Sequence, residues 1–315
     1  MKTDLQLDPA IMFPGMGPSD FAGLAKFMLI NPVARGLMAG ADDVLGYSLF
    51  DRYRDSVGDY TEHAQVAFMV NCLALARWAE QELGIRPEVC VGPSFGGKVA
   101  AVYSGALTFE EGVLMVLRCA RALEEHTARD HRDLVTQSFA RTPQERLDEI
   151  LRELDEREEW YDLSCHVDDD FHMLTLERGR LDWLTGRLRA AGGMPLYTMH
   201  PPMHTRALAP LRDEVEREVF GGLRFADPRI PVVADQDGRL LDTGEGVREM
   251  LLDGFVEPVR WPRAVAGLRR LNVRRLYVSG PDALFGRVRC TTSSFEVVPV
   301  TPRVALRPRS LRAAG

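Results

Sequence analysis

The sequence predicts an α/β fold with a small ferredoxin-like unit set into its middle. Three observations predict it. Short apolar or β-branched runs alternate with helical segments at both ends of the chain, "AIMF" and "PEVCV" early, "IPVVAD" and "RRLYVSG" late, which is the pattern of a sheet covered by helices. Between them the chain reads strand, helix, strand, strand, helix, strand, the order of a ferredoxin-like unit. The stretch "EVCVGPSFGGKVAAVYSGAL" puts Ser94 between glycines where a strand gives way to a helix.

Taken in order, Ala10 to Phe13 reads as a strand ended by "PGMG". An irregular helical stretch follows, to about Asp51. "TEHAQVAFMVNCLALARWAEQELG" predicts an amphipathic helix with Thr61 as N-cap and Gly84 as stop. "PEVCV" is a strand and "GGKVAAVYSGAL" a small-residue helix. "TFEEGVLMVLRCARALEEHTA" is a helix with Thr108 and Glu111 spaced as a capping box. The inserted unit runs "DLVTQSFA", "TPQERLDEILRELDER", a hairpin of "WYDLSCHV" and "FHMLTLE" around "DDD", "GRLDWLTGRLRAAG" and "MPLYTM". The late part gives helices at "RALAPLRDEVEREVF", "GEGVREMLLDGF" and "PRAVAGLRRLN". The expected organisation is a large α/β catalytic subdomain from residues 1–130 and 200–298, a small subdomain over 131–199, and a basic surface tail over 299–315.

The 315 residues, 45% hydrophobic and 27% charged, suit a soluble globular protein with a sizeable core. No apolar run is long enough to span a membrane, and the N-terminus lacks the pattern of a secretion signal. Five cysteines without CxxC pairing predict reduced thiols and a cytoplasmic setting. Net charge is −7, yet twelve arginines face two acids from Pro258 onward. This asymmetry predicts either a solvated arginine-rich surface or a basic face for an acidic partner. The basic segment has no interleaved aromatics, so nucleic acid is not expected.

Gly92-Pro93-Ser94-Phe95-Gly96 fits G-x-S-x-G. Flanking glycines let the backbone approach closely, and the following helix offers free N–H groups to an oxyanion. A nucleophilic serine needs a base. His63 lies in a helix, His126 and His131 at a charged helix end, and His166 and His172 beside the acidic turn. His200 and His204 stand in "MHPPMHTRALAP", a proline-stiffened loop suited to holding a base in place. Spacing alone does not choose between these two.

The succession "FPGMG", "TEHAQVA", "GPSFGGKVAAVYSGALTFEEGV", "PPMHTRALAPL", "IPVVADQDG", "EPVRW" and "VSGPDALFG" resembles the malonyl-CoA:acyl-carrier-protein transacylases and the acyltransferase domains of polyketide synthases, over nearly the whole chain. The resemblance implies an α/β-hydrolase-like large subdomain and a catalytic dyad of Ser94 and His204. It implies that a main-chain carbonyl orients the histidine, with the "PVRW" segment near Arg260 as its source. The backbone N–H groups of Phe95 and Met16 would form the oxyanion hole, Met16 standing where the family usually has glutamine. Gln65 would line the pocket.

Departures from the family bear on cargo. Pro93 replaces the histidine of G-H-S-x-G. Members that use malonyl or methylmalonyl units carry an arginine twenty-five residues after the serine, where this chain has Cys119. Arg118 is adjacent, but one helical step turns a side chain by about 100°, so Arg118 and Arg121 are expected to face elsewhere. A carboxylate left unpaired against Cys119 would cost several kcal/mol. Met203, before the histidine, suits an irregular acyl group.

The pattern is similar to discrete acyltransferases of macrolactam polyketide pathways, which move an aminoacyl or dipeptidyl unit between carrier proteins. The expected partners are therefore acidic acyl carrier proteins that bring phosphopantetheine with them. Arg287, Arg289 and Arg303 are candidates for the docking face, and the protein itself is expected to be a monomer with no bound metal or cofactor. Three rival readings remain open: a malonyl-CoA transacylase in which Arg118 reaches the carboxylate, an acyl hydrolase that clears stalled carriers, and an inactive carrier-binding scaffold.

Overall fold

Two sheets organise the chain in a computed structural model that describes residues 7–17, 21–58, 60–129 and 133–307. In order, the elements are β1 (Ala10–Met12), α1 (Phe21–Ile30), α2 (Pro32–Leu45), α3 (Leu49–Arg54), α4 (Glu62–Glu82), β2 (Val89–Val91), α5 (Gly96–Tyr103) and α6 (Phe109–Arg129). Then come β3 (Leu134–Ala140), α7 (Gln144–Glu156), β4 (Tyr161–Asp168), β5 (Phe171–Glu177), α8 (Leu181–Ala190) and β6 (Met194–Met199). The chain finishes with α9 (Ala209–Glu218), β7 (Val232–Val233), β8 (Leu240–Leu241), α10 (Gly244–Val256), β9 (Val259–Arg260), α11 (Trp261–Arg270), β10 (Arg275–Ser279), α12 (Arg289–Thr292), β11 (Glu296–Val300) and α13 (Pro302–Ala305).

The large sheet has the order β11-β10-β1-β2-β7-β8, parallel throughout except for the antiparallel β7–β8 pair. Its central strand β1 is buried on both faces. Ile11 and Phe13 pack into one core with α4, and Ala10 and Met12 into another with Trp261 and Phe285. This two-residue alternation is what a strand covered by helices on both sides requires.

The small sheet has the order β6-β3-β5-β4-β9. Its first four strands with α7 and α8 form the expected ferredoxin-like unit, closed over its own core of Val135, Phe139, Ile150, Leu174 and Leu184. The fifth strand, β9, comes from the large subdomain and pairs parallel to β4, Cys165 opposite Val259. The insert is therefore stitched to its host by backbone hydrogen bonds as well as by packing.

Two expectations need correction. α4 is not amphipathic: it is buried almost all round, from Ala64 to Ala79, because α2, α5, α6 and the sheet surround it. The end of the chain is not a surface tail from residue 299. Pro299 and Val300 lie in β11, Val300 is fully buried, and α13 packs against α1 and α4. Of that tail, residues 308–315 fall outside the described residues, as do His131 and Arg132 at the start of the small subdomain. The hairpin, by contrast, has its turn at Asp169 and Asp170 as the sequence suggests.

Candidate active site

The bend after β2 is forced by its glycines. A Cβ on Gly92 would lie 2.0 Å from the Gly96 carbonyl oxygen, and one on Gly96 would lie 2.0 Å from that of Phe13. Only glycine fits at either place. The tight bend drives Ser94 to φ 55°, in the left-handed region that a non-glycine residue seldom adopts. The Ser94 N–H donates to Asp235 Oδ2 at 2.7 Å, which holds that conformation. α5 starts two residues later, and its first amides are taken up by the turn: Gly96, Gly97 and Lys98 donate to the Pro93, Ser94 and Phe95 carbonyls, each at 3.0 Å.

A histidine approaches the serine from the other side. Ser94 Oγ lies 2.8 Å from His204 Nε2. His204 also has positive φ, 58°, and is 6% exposed. Its neighbours are pinned on both flanks. The Ser164 hydroxyl, on β4, donates to the Met203 carbonyl at 2.7 Å. The Thr205 N–H donates to the Phe255 carbonyl at 3.1 Å, and the Thr205 hydroxyl and Arg206 N–H both donate to Asp162 Oδ2 at 2.7 Å. The geometry thus chooses between the two loop histidines: His200 is exposed and its Nδ1 pairs with the Leu134 carbonyl.

Burial pushes the His204 imidazole down to about 4, the Gly254 carbonyl opposes this, and Lys98 adds to it. His204 is therefore neutral near pH 7 and able to accept a proton. The main-chain group acting on the ring is Gly254, in the last turn of α10, not the segment near Arg260. That segment is carried away by its pairing with β4, and the Arg260 N–H donates instead to the Asp235 carbonyl at 2.9 Å. Nδ1 has no partner within hydrogen-bonding geometry, so the influence of Gly254 is electrostatic. Burial raises Asp235 to about 7, with the Ser94 amide pulling the other way.

Ser94 and His204 open on a cavity of about 430 Å³ between the two subdomains. Met16, Gln65, Phe95, Cys119 and Met203 all line it, together with Thr136, Ser138, Phe171 and Tyr197 from the small subdomain. Among the described residues, the N–H groups of Met16 and Phe95 donate to no protein acceptor, as an oxyanion hole requires. Gln65 is buried and donates from Nε2 to the Tyr60 carbonyl at 2.8 Å. Cys119 is buried, and burial raises its thiol. Arg118 is exposed and does not line the cavity, and Arg121 pairs with Glu62.

Two lining residues escaped the sequence reading. Lys98 projects into the cavity beside Cys119, and Asp235 anchors the serine. Neither carried a signal in the sequence, where Lys98 reads as an ordinary solvent-facing helix lysine. Arg287 and Arg289 are exposed just after the lining segment 283–285, while Arg303 is exposed on α13.

The sequence of residues 138–199 matches the family described as the VinK acyltransferase small domain. The chain is 23% identical to a malonyl CoA-acyl carrier protein transacylase of Bacillus subtilis over 92% of its own length and 73% of that protein's. The same fold is found in a type II polyketide synthase malonyl-transacylase solved in complex with its acyl-carrier protein, with TM-score 0.83, 23% identity, and 94% and 96% of the two chains covered. It recurs in the malonyl CoA-acyl carrier protein transacylase of Coxiella burnetii, with TM-score 0.82, 21% identity, and 96% and 97% covered. Along most of its length the chain is therefore similar in sequence to malonyl CoA-acyl carrier protein transacylases, and it shares their two-subdomain fold.

Proposed function

We propose that the protein is an acyl-carrier-protein acyltransferase working through an acyl-Ser94 intermediate. The observation that carries this reading is the 2.8 Å contact between Ser94 Oγ and a buried, neutral His204. His204 Nε2 takes the Ser94 proton as Oγ attacks the donor thioester carbonyl. The oxyanion rests on the N–H groups of Phe95 and Met16. The C–S bond breaks, and the departing pantetheine sulfur takes the proton from His204. In the second half, the acceptor carrier's thiol gives its proton to His204 and attacks the acyl-serine, and Ser94 recovers the proton on leaving.

The cargo we propose is an aminoacyl or dipeptidyl unit rather than malonyl. Cys119 on the cavity wall and Arg118 facing outward support this, since among the described lining residues there is no guanidinium to give a carboxylate the bidentate grip that a lysine's point charge does not copy. The cavity volume supports it too, falling in the range of sites for ligands much larger than a three-carbon acyl. The names of the relatives favour a second reading, malonyl transfer.

Intact-mass measurement after mixing the protein with carriers loaded with malonyl, aminoacyl or dipeptidyl groups tests both. A mass increase on Ser94 from the dipeptidyl or aminoacyl carrier, passed on when a second carrier is added, is expected. Rapid labelling by malonyl alone would establish the second reading. Free acid released without an acceptor would make the protein a hydrolase, and no labelling by any donor would leave a carrier-binding scaffold.

A further inference from the structure

The cavity contains a cation that the mechanism above does not use. Lys98 lies on the first turn of α5, four residues after Ser94. The side chain is enclosed by protein, and the exposure it keeps is onto the cavity it lines. Its Nζ sits 5.2 Å from the ring centre of Phe95 and 5.9 Å from that of Phe255. Cys119 and His204 are the titratable groups that feel its charge. Among the described residues it forms no ion pair and no hydrogen bond through Nζ. A lysine that only packs its stem carries its ammonium out to bulk water. This one ends in a mostly apolar chamber.

We propose that Lys98 is the specificity-determining residue of the acyl cavity: it selects acyl groups that bring an oxygen acceptor to the wall beside Cys119, and rejects those that bring an ammonium there. A buried cation held only by two ring faces is left short of hydrogen-bond acceptors, and a charge-assisted hydrogen bond from the cargo relieves that cost. A second ammonium in the same low-dielectric space is repelled. The helix that carries Lys98 is locked at its start by the contacts of Gly92 and Gly96, so the lysine cannot retreat with its backbone. Desolvation weakens its hold on the proton, and an incoming oxygen restores it. The oxygen can be a peptide carbonyl, as in a dipeptidyl unit, or a carboxylate. The inference rests on Ser94 as the acyl acceptor and sharpens the cargo: an aminoacyl group with its free amine at that depth is excluded.

The test uses the full chain and four pantetheine thioesters: hexanoyl, succinyl, N-acetyl-β-alanyl and β-alanyl. Acylation of Ser94 is followed by intact mass. Succinyl and N-acetyl-β-alanyl are expected to exceed β-alanyl by about tenfold or more in kcat/KM, as a charge-assisted hydrogen bond allows. Lys98→Met should bring these ratios within about threefold, and Lys98→Arg should restore them. Binding of the same thioesters to Ser94→Ala, by titration calorimetry, reads the lysine without turnover. Should no thioester acylate wild-type Ser94, the catalytic reading fails while the binding ratios still decide the role of Lys98. β-Alanyl matching succinyl in the wild type, or a preference that survives Lys98→Met, overturns the proposal. If Lys98→Met does not fold, the wild-type and Lys98→Arg ratios decide the matter.

Discussion

Ser94 and His204 are both held at positive φ, near 55° and 58°, and both are fixed by neighbours rather than by their own preferences. Strain of this kind is maintained only where the surroundings over-determine it. Burial, separately, keeps the His204 imidazole neutral over an unusually wide range. With the imidazole pushed down to about 4, the acid limb of the Ser94 acylation rate should fall near pH 4 instead of near 6.5. A pH profile of kcat/KM with a thioester donor checks this. Asp235 works in the opposite sense. Its carboxyl is raised to about 7, so the folded protein holds a proton there that the unfolded chain releases above pH 4. Stability from this group is complete below about pH 4 and is lost as pH rises toward 7. Asp235→Asn removes the buried charge and keeps an oxygen for the Ser94 N–H. The variant should gain about 1–3 kcal/mol at pH 8 and little at pH 4, measured by denaturant unfolding.

Among the elements, the strand–turn–helix around Ser94 is the least forgiving. Gly92→Ala or Gly96→Ala places a methyl where backbone oxygen already lies. Each should cost about 3 kcal/mol or more in thermal or chemical unfolding. The loop carrying His204 depends on β4. Asp162→Ala deletes the acceptor for the Thr205 hydroxyl and the Arg206 N–H. Acylation should slow by about tenfold to a hundredfold with KM little changed, the signature of a misplaced base.

Most elements were legible because their local chemistry agrees with the fold. The Thr108–Glu111 capping box forms reciprocally, with N–H to side-chain distances of 3.1 and 3.0 Å. The strand–helix order of the insert carried its topology. β8 and β9 were not legible, since two residues show no periodicity. β11 was masked by Pro299, which an edge strand tolerates because one side of it is unpaired. In the site, Ser94 announced itself by its glycines, while His200 and His204 could be separated only by position in space. Lys98 was hidden because a lysine in a helix ordinarily signals solvent, and the same residue type on a cavity wall looks no different in one dimension.

At the scale of the whole molecule, the charge asymmetry becomes a geometric one. Arg287 and Arg289 stand exposed beside the loop that lines the cavity. Replacing both by glutamate should lower kcat/KM for a carrier-borne donor by about tenfold at low salt. The deficit should shrink as ionic strength rises, because the Debye length falls to about 8 Å at 0.15 M. A small pantetheine thioester should show no such salt-dependent loss, and stopped-flow comparison of the two donors separates them.

The clamp on His204 has one further consequence. Ser94 and His204 both belong to the host, yet the loop that carries His204 is tied to the host at Phe255 and to the insert at Asp162 and Ser164. A small subdomain that shifted against its host would therefore tug on that loop from one side only, and the 2.8 Å contact between Ser94 and His204 would register the insert's position.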